Sequence, residues 1–362
     1  MELKNLQKHI RTLATLEETN SPVVSYYLNR EPNELTNRLL LTERGRVLRQ
    51  SLWGRARHDF EEAMHQIETY IDNELLADAK GVAIFARTGE GDFFLPLQFR
   101  VPVPNWIAVT ALPNIYHLIE LKDTYHRYVV MISTEENARI LEVNLGSVTE
   151  ELWRERPELR QRVGREWTKE HYQNHRQERT NQFVKEKIKI LERLMLAGGH
   201  THLILAGNPQ MTARIRKALP RHLEEKLIDI VMADPNDNIS DVVAVTLAQF
   251  IEQEEQESQA LVDTLYREIR TSGLAVVGPE ASFEALQQGR ADVLVLAQDM
   301  PNLTLREELV RLAAQSHCQV EVVKYSPVLM EFGGVGCLLR YLLPEQYPQP
   351  QYAYEPQNQP SL

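Results

Sequence analysis

The chain has 362 residues, of which 43% are hydrophobic and 25% are charged, and its formal net charge is −11. This length is too great for one ordinary core, so two or three globular domains are expected. No run approaches the roughly eighteen apolar residues of a membrane span, and the N-terminus lacks the apolar core of a signal peptide. Two cysteines, Cys318 and Cys337, are too few for a disulfide framework or a four-cysteine zinc site. We therefore expect a reduced cytoplasmic protein.

Residues 1–122 predict an α/β domain. Leucine and isoleucine at helical spacing indicate a helix over residues 3–16, and the β-branched and aromatic run at 23–28 indicates a strand. Apolar residues at helical spacing then predict one long amphipathic helix over residues 35–71. Further strands are expected at residues 81–86, 93–97 and 107–112.

Residues 123–270 predict a second domain of alternating strands and helices. A long helix over residues 168–196 ends at Gly198 and Gly199, where glycine serves as a C-terminal stop. Strands are expected at residues 125–133, 138–143, 201–206 and 227–232, and an acidic helix at 251–269. This alternation implies a sheet that is covered on both faces.

Residues 271–345 predict a third domain, a compact α/β/α sandwich. The domain closes with a glycine-rich turn at residues 333–336 and an apolar strand at 337–341. Residues 346–362 are rich in proline and glutamine and have almost no aliphatic side chains, so a disordered tail is expected there. The other predicted elements are strands at 274–277, 293–297 and 320–323 and helices at 282–288 and 305–314.

Positive charge is concentrated in two segments of this acidic chain. Residues 36–57 contain six arginines and a single acid, Glu43, and residues 153–193 contain twelve lysines or arginines against seven acids. Acidic residues elsewhere, notably within 252–257, compensate for both segments. The distribution disfavours non-specific coating of nucleic acid and is compatible with two separate contacts to phosphates.

Several stretches, taken in order, resemble one protein family. They are the strand at 23–28, the paired strands at 125–143, the run from His202 to Gly207, the stretch at 273–296 and the glycine-rich run at 333–341. Their order is similar to that of the class I release factors and Pelota proteins of archaea and eukaryotes and their bacterial relatives. The likeness covers about residues 20–342. It implies an N-terminal domain facing the decoding centre, a ribonuclease-H-like middle domain and a ribosomal-protein-like C-terminal sandwich.

The resemblance also locates a loop that this sequence has changed. In the family, a Gly-Gly-Gln loop before the long basic helix enters the peptidyl-transferase centre, and its glutamine helps water attack the peptidyl-tRNA ester. Placing residues 172–179 on the corresponding family helix puts Arg165, Glu166 and Trp167 at that tripeptide. Because both glycines and the glutamine are missing, we expect no peptide release by the family mechanism. The Asn-Ile-Lys-Ser sequence that reads stop codons is absent as well.

The resemblance implies two surfaces that contact ribosomal RNA. A tryptophan beside cations can stack on an unpaired base, although an ordinary helix N-terminus and a solvated charged face are competing interpretations. The candidates on the peptidyl-transferase side are Arg165, Glu166, Trp167, Lys169, His171, Arg176 and Arg179, and those on the decoding side are Arg30, Asn33, Arg38, Arg44 and Arg46. His171 and His175 have the i, i+4 spacing of metal ligands, but no third ligand accompanies them. We expect neither a metal nor a cofactor.

The function implied is that of a ribosome-binding translation factor, not an enzyme, that occupies the vacant A site without releasing peptide. Bacterial relatives of the Balon type are hibernation factors, so the expected partners are the 70S ribosome, with its 16S and 23S rRNA, and elongation factor Tu or another translational GTPase. Rescue of stalled ribosomes in the manner of Pelota is an alternative. Another is a divergent peptidyl-tRNA hydrolase in which Glu166 or His171 activates water. A nuclease would require metal-binding carboxylates that the strand at 128–131 lacks.

Overall fold

A computed structural model describes residues 3–134, 138–155, 169–233 and 237–342. The chain divides into two compact units, Met1–Glu257 and Ser258–Leu362. The described residues form three sheets, each packed against helices, which confirms the predicted α/β fold class. One sheet lies within each of the predicted ranges 1–122, 123–270 and 271–345. The domain bounds themselves stay a prediction.

The N-terminal sheet is antiparallel and has the strand order β3-β2-β1-β4. Its central strand β1 is buried along almost all of its length, and Tyr26 pairs with Ile84 of β2 on one side and with Ile107 of β4 on the other. The strands are β1 (Val23–Asn29), β2 (Gly81–Arg87), β3 (Phe93–Phe99) and β4 (Trp106–Thr110). The helices of this region are α1 (Leu3–Ala14), α2 (Glu34–Gln50), α3 (Gly54–Asn73) and α4 (Tyr116–Thr124).

Helices α2 and α3 cover one face of this sheet. Leu41 of α2 and Phe60 and Ile67 of α3 pack against Val24 and Ile84, all of them nearly or fully buried. The sequence predicted a single helix over residues 35–71, and this prediction is wrong because the chain breaks at residues 51–53. The break positions the candidate interface described below.

The middle sheet has the strand order β7-β6-β5-β8-β9. The first three strands along the chain are antiparallel, and β8 and β9 run parallel to β5, which is the arrangement of a ribonuclease-H-like domain. The strands are β5 (Tyr128–Ser133), β6 (Ala138–Asn144), β7 (Ser147–Glu155), β8 (His202–Gly207) and β9 (Leu227–Val231). The helices are α5 (Lys169–Gly198), α6 (Pro209–Ala218), α7 (Arg221–Glu224) and α8 (Ile239–Arg270).

Alternate residues of β5 build two cores on opposite faces of this sheet, because successive side chains of a strand point to opposite sides. Val129 and Met131 pack with α5 and α6. Tyr128 and Val130 pack with α8, where Phe250 stacks on Tyr128 at a centroid distance of 4.7 Å. The sheet is thus covered on both faces, as the alternating pattern predicts.

The second unit contains a four-stranded sheet with the order β10-β13-β11-β12, in which the pair β11/β12 is parallel. Val262 and Leu265, from the last part of α8, pack into its core with Val295 and Val323. The strands are β10 (Ala275–Val277), β11 (Ala291–Ala297), β12 (Gln319–Val323) and β13 (Val335–Leu339). The helices are α9 (Pro279–Gln287), α10 (Leu303–Gln315) and α11 (Pro327–Glu331).

The glycine-rich run joins α11 to β13. Gly333 and Gly334 both have φ values of 80°, a left-handed conformation that favours glycine, so they form the predicted turn. Gly336 lies inside β13, where an added Cβ would approach Leu265 to 2.8 Å. The closing strand therefore begins at Val335, two residues before the predicted start, since the third glycine serves close packing and not the turn.

Among the described residues, no helix combines the length and the apolar character that crossing a membrane requires.

Candidate nucleic-acid interface

Two residues predicted for the decoding side, Arg30 and Asn33, hold the N-terminal fold together. The Arg30 guanidinium lies 2.9 Å from the Glu34 carboxylate and donates to the Leu76 carbonyl at 2.7 Å. Asn33 is the N-cap of α2, and its side-chain oxygen accepts from the Thr36 amide. Both side chains therefore have internal partners that explain their presence without RNA.

Arg38 and Arg44 connect α2 to neighbouring elements. The Arg38 guanidinium lies 2.7 Å from the carboxylate of Asp72 at the end of α3. Arg44 donates to the main-chain carbonyl of Asn105, just before β4, at 3.0 Å. Each guanidinium still presents other N–H groups, so a phosphate contact is compatible with these bonds.

Arg46 is one of the exposed residues among the five that were predicted. Its side chain is 66% exposed and pairs with Glu43, one helical turn earlier, at 2.8 Å. A pair this open to water contributes little to stability. Leu35 and Leu39 lie on the same outward side of α2 and are 74% and 67% exposed. This side of the helix is thus apolar and cationic together.

Arg49 and Arg57 meet at one carboxylate where α2 and α3 approach each other. Both guanidinium groups contact Oε1 of Glu61, and these hydrogen bonds lower the pKa of that carboxyl group. Arg55, on the first turn of α3, is 75% exposed and lies 3.8 Å from Asp59. Two arginines sharing one carboxylate leave a surplus of positive charge at this point.

Trp53 lies at the break between the two helices and is 79% exposed. Its backbone is extended, with φ −131° and ψ 154°, and it precedes Gly54, whose φ is +55°. Sequence reasoning did not select Trp53, although its position among six arginines was a signal that could have found it. We name the set Arg46, Arg49, Trp53, Arg55 and Arg57 the α2–α3 corner. An exposed indole among cations can stack on a base while the cations contact phosphates.

Of the seven candidates on the peptidyl-transferase side, four lie in the first eleven residues of α5. Arg165, Glu166 and Trp167 fall outside the described residues. Lys169, His171, Arg176 and Arg179 belong to the α5 helix. Their roles stay a prediction.

One lysine of the basic α5 segment points inward. The Lys187 side chain is fully buried, donates to the Ser133 hydroxyl at 2.7 Å and to the Thr134 carbonyl at 3.2 Å, and lies 3.4 Å from the Phe183 ring centroid. A buried ammonium of this kind cannot reach a phosphate. Lys187 therefore anchors α5 to the end of β5, and the charge available on the helix surface is one less than the sequence count suggests.

The middle of the chain matches a family of known proteins. Residues 113–255 match the family model of bacterial archaeo-eukaryotic release factor family 10. A comparison with curated proteins finds no match.

Solved structures of similar proteins include Pelota and a yeast relative. Archaeoglobus fulgidus Pelota is 16% identical, with 94% of this chain and 92% of that chain covered and a TM-score of 0.39. Dom34 of S. cerevisiae, a translation termination-like factor that interacts with Hbs1, is 12% identical, with 74% and 80% covered and a TM-score of 0.42. An archaeal Pelota from a ribosome-bound model with ABCE1 is 16% identical, with 94% of each chain covered and a TM-score of 0.42.

Proposed function

We propose that the chain is a bacterial release-factor/Pelota-like protein and that it is a translation factor that binds the vacant ribosomal A site. The observation that carries the proposal is the match of residues 113–255 to a bacterial release-factor family. This range contains the middle sheet, the basic helix α5 and the segment where the family places its peptidyl-transferase loop. We expect a protein of this group to act by binding in the ribosomal A site.

The proposed mechanism is occupancy without peptide release. No Gly-Gly-Gln tripeptide occurs anywhere in the 362 residues, and Arg165, Glu166 and Trp167 stand where the family resemblance places it. A bulky side chain at each of these positions prevents the close backbone approach that glycine allows. An A-site ligand that cannot release peptide protects or blocks the site, so we assign the protein a hibernation role.

We propose two contacts with ribosomal RNA for this role. We place the α2–α3 corner against 16S rRNA near the decoding centre, since it combines an exposed indole with clustered guanidinium groups. The segment with Arg165 and Trp167 then faces 23S rRNA. Elongation factor Tu or another translational GTPase is the proposed delivering partner.

Co-sedimentation with empty 70S ribosomes tests the proposal. We expect about one copy per ribosome, with weaker binding for the Arg165→Ala/Trp167→Ala variant and for Trp53→Ala. Loss of one base stack costs about 1–3 kcal/mol, or about 5- to 150-fold in affinity. Met232→Ala is the matched control, because Met232 is also 79% exposed but lies outside both surfaces. Absence of binding to empty and stalled ribosomes would contradict the function.

A peptide-release assay on ribosomes loaded with peptidyl-tRNA separates occupancy from hydrolysis. We expect no release by the wild-type protein. Release that disappears in Glu166→Ala or His171→Ala would establish the divergent hydrolase instead. Tighter binding to stalled ribosomes than to empty ones would favour rescue over hibernation.

A further inference from the structure

A histidine and two glutamates that are far apart in the sequence meet beside the middle sheet. His202 begins β8, and Glu254 and Glu257 lie one turn apart on α8. One donor atom from each of the three side chains can be chosen so that all lie within 4.8 Å of one another. No local spacing indicates this cluster, because about fifty residues separate the histidine from the glutamates.

The distances between His202 and Glu257 are closer to the donor spacing around a shared cation than to a short hydrogen bond. Nε2 of His202 is 3.4 Å from both carboxylate oxygens of Glu257 and 3.8 Å from Oε1 of Glu254. Charge-assisted hydrogen bonds are shorter, at about 2.7–2.9 Å. Donors around a tetrahedral Zn²⁺ with bonds of about 2.0–2.1 Å lie about 3.3–3.4 Å apart. The two carboxylates also supply more negative charge than one imidazolium could balance.

Each of the three side chains has a partner that orients it. The Thr201 hydroxyl lies 2.8 Å from Nδ1 of His202, which leaves Nε2 to face the carboxylates when Nδ1 carries the proton. Nδ1 of His126 lies 3.1 Å from Oε2 of Glu254. The Gln253 amide donates to Glu257 at 2.8 Å. Metal ligands are characteristically held by such outer hydrogen bonds.

Two side chains of the cluster are largely buried and one is half-exposed, so a cation could be held in one position and still be reached from solvent. The side chains of His202 and Glu254 are 14% and 10% exposed, whereas that of Glu257 is 48% exposed. The His202 ring is further fixed by an edge contact with Phe250, with centroids 5.5 Å apart. We propose that His202, Glu254 and Glu257 form a binding site for one divalent transition-metal ion, Zn²⁺ in the first instance, that joins α8 to β8.

Isothermal titration of chelator-stripped, full-length protein with ZnCl₂ tests the site. We expect one tight binding event per chain, with a dissociation constant of about 1 µM or lower. Glu257→Gln, which keeps the size of a half-exposed side chain, should weaken binding by about 10- to 100-fold, and His202→Ala by at least as much. Glu252→Gln is the matched control, because this exposed residue lies on the same helix outside the cluster, and it should bind as the wild type does.

Two results would overturn the site. One is the absence of tight Zn²⁺ uptake by the wild-type protein, and the other is equal uptake by wild type, His202→Ala and Glu257→Gln. His175→Ala adds a further arm, because His171 and His175 have ligand spacing on α5. Loss of binding in that variant alone would place the metal on α5 and refute the proposed cluster. If circular dichroism shows that His202→Ala does not fold, Glu257→Gln decides the question.

Discussion

Arginine side chains near α2 divide into those with several partners inside the fold and those that are open to solvent, and Arg30 and Arg46 represent the two kinds. Arg30 is 18% exposed, and its guanidinium contacts a carboxylate and main-chain carbonyls, whereas Arg46 is 66% exposed. We expect Arg30→Ala to lower the free energy of unfolding by about 2 kcal/mol, since charge-assisted bonds are lost.

Arg46→Ala should change the free energy of unfolding by less than about 0.5 kcal/mol. Urea denaturation measures both variants, and ribosome co-sedimentation of the folded protein gives the complementary result. There Arg46→Ala should bind more weakly, and Arg30→Ala should bind normally once folded. Equal stability of the two variants would contradict the division.

The two thiols of the second unit should be chemically inert in the folded protein. Cys337 is fully buried and Cys318 is 8% exposed, and burial raises the pKa of both thiols to about 12. At pH 8 the thiolate fraction is then about one in ten thousand, against about a quarter for an ordinary thiol of pKa about 8.5. A disulfide-exchange reagent such as Ellman's should detect almost no thiol in the native state and two per chain in guanidinium chloride. Fast reaction of either cysteine in the native protein would contradict this.

The candidate site was only partly predictable at the level of residues. The excess of arginine over residues 36–57 could be counted from the sequence, because charge counts need no tertiary information. The carboxylates that pair with these arginines, such as Glu61 and Asp72, come mostly from α3 and were not part of that count. The sequence did not show that Arg30 is a structural residue, because its guanidinium contacts a carbonyl that is 46 positions away. Trp53 was overlooked because it belongs to neither helix. Helical periodicity gives no information about a residue that lies between two helices.

At the level of elements, we expect the break between α2 and α3 to depend on one glycine. Gly54 has a φ of +55°, and an added Cβ would meet nothing within 4 Å, so a substitution there is opposed by backbone conformation alone. We expect Gly54→Ala to destabilise the protein by about 1 kcal/mol, and Gly54→Asn by less, because Asn tolerates the left-handed region.

Gly45→Ala is the matched control for that prediction. Gly45 is inside α2, and its added Cβ would lie 3.7 Å from Ile107, an ordinary contact. The change should be neutral or stabilising, by up to about 1 kcal/mol, because alanine favours helix. Thermal denaturation compares the three variants. A Gly54→Ala protein as stable as the wild type would show that the break does not need the left-handed residue.

The elements that the sequence predicted best are the buried central strands. β5 and β8 read as continuous apolar runs because neighbouring strands and helices cover them on every side. Strand β7 was missed, and the reason is physical. It lies at a sheet edge, and its pairing with β6 shifts register twice, between Ile140 and Leu141 and between Glu142 and Val143. Those irregularities destroy the alternation from which a strand is recognised.

At the scale of the whole molecule, ribosome binding should depend steeply on salt despite the net charge of −11. Each phosphate contact changes the slope of log K against log salt by about −0.7 to −0.9. Four contacts give a slope of about −3, so raising salt from about 50 to about 200 mM should weaken binding by about 60-fold.

We expect the α2–α3 corner to account for part of that slope. Arg46→Ala and Arg55→Ala should each make it shallower by slightly less than one, as measured by co-sedimentation across a salt series. Arg221→Ala is the control, because this side chain is 92% exposed and lies on α7, which contributes no residue to either surface. A slope unchanged by all three variants would remove the corner from the interface.

Helix α8 has a consequence for any attempt to dissect the protein into fragments. The helix is continuous from Ile239 to Arg270, and the boundary between the compact units falls inside it, after Glu257. Val262 and Leu265 on its last turns belong to the core of the second unit. A fragment beginning at residue 271 would expose an apolar face of its own sheet, whereas one beginning at 258 keeps the helical segment that covers it. A stable C-terminal fragment must therefore start within a helix.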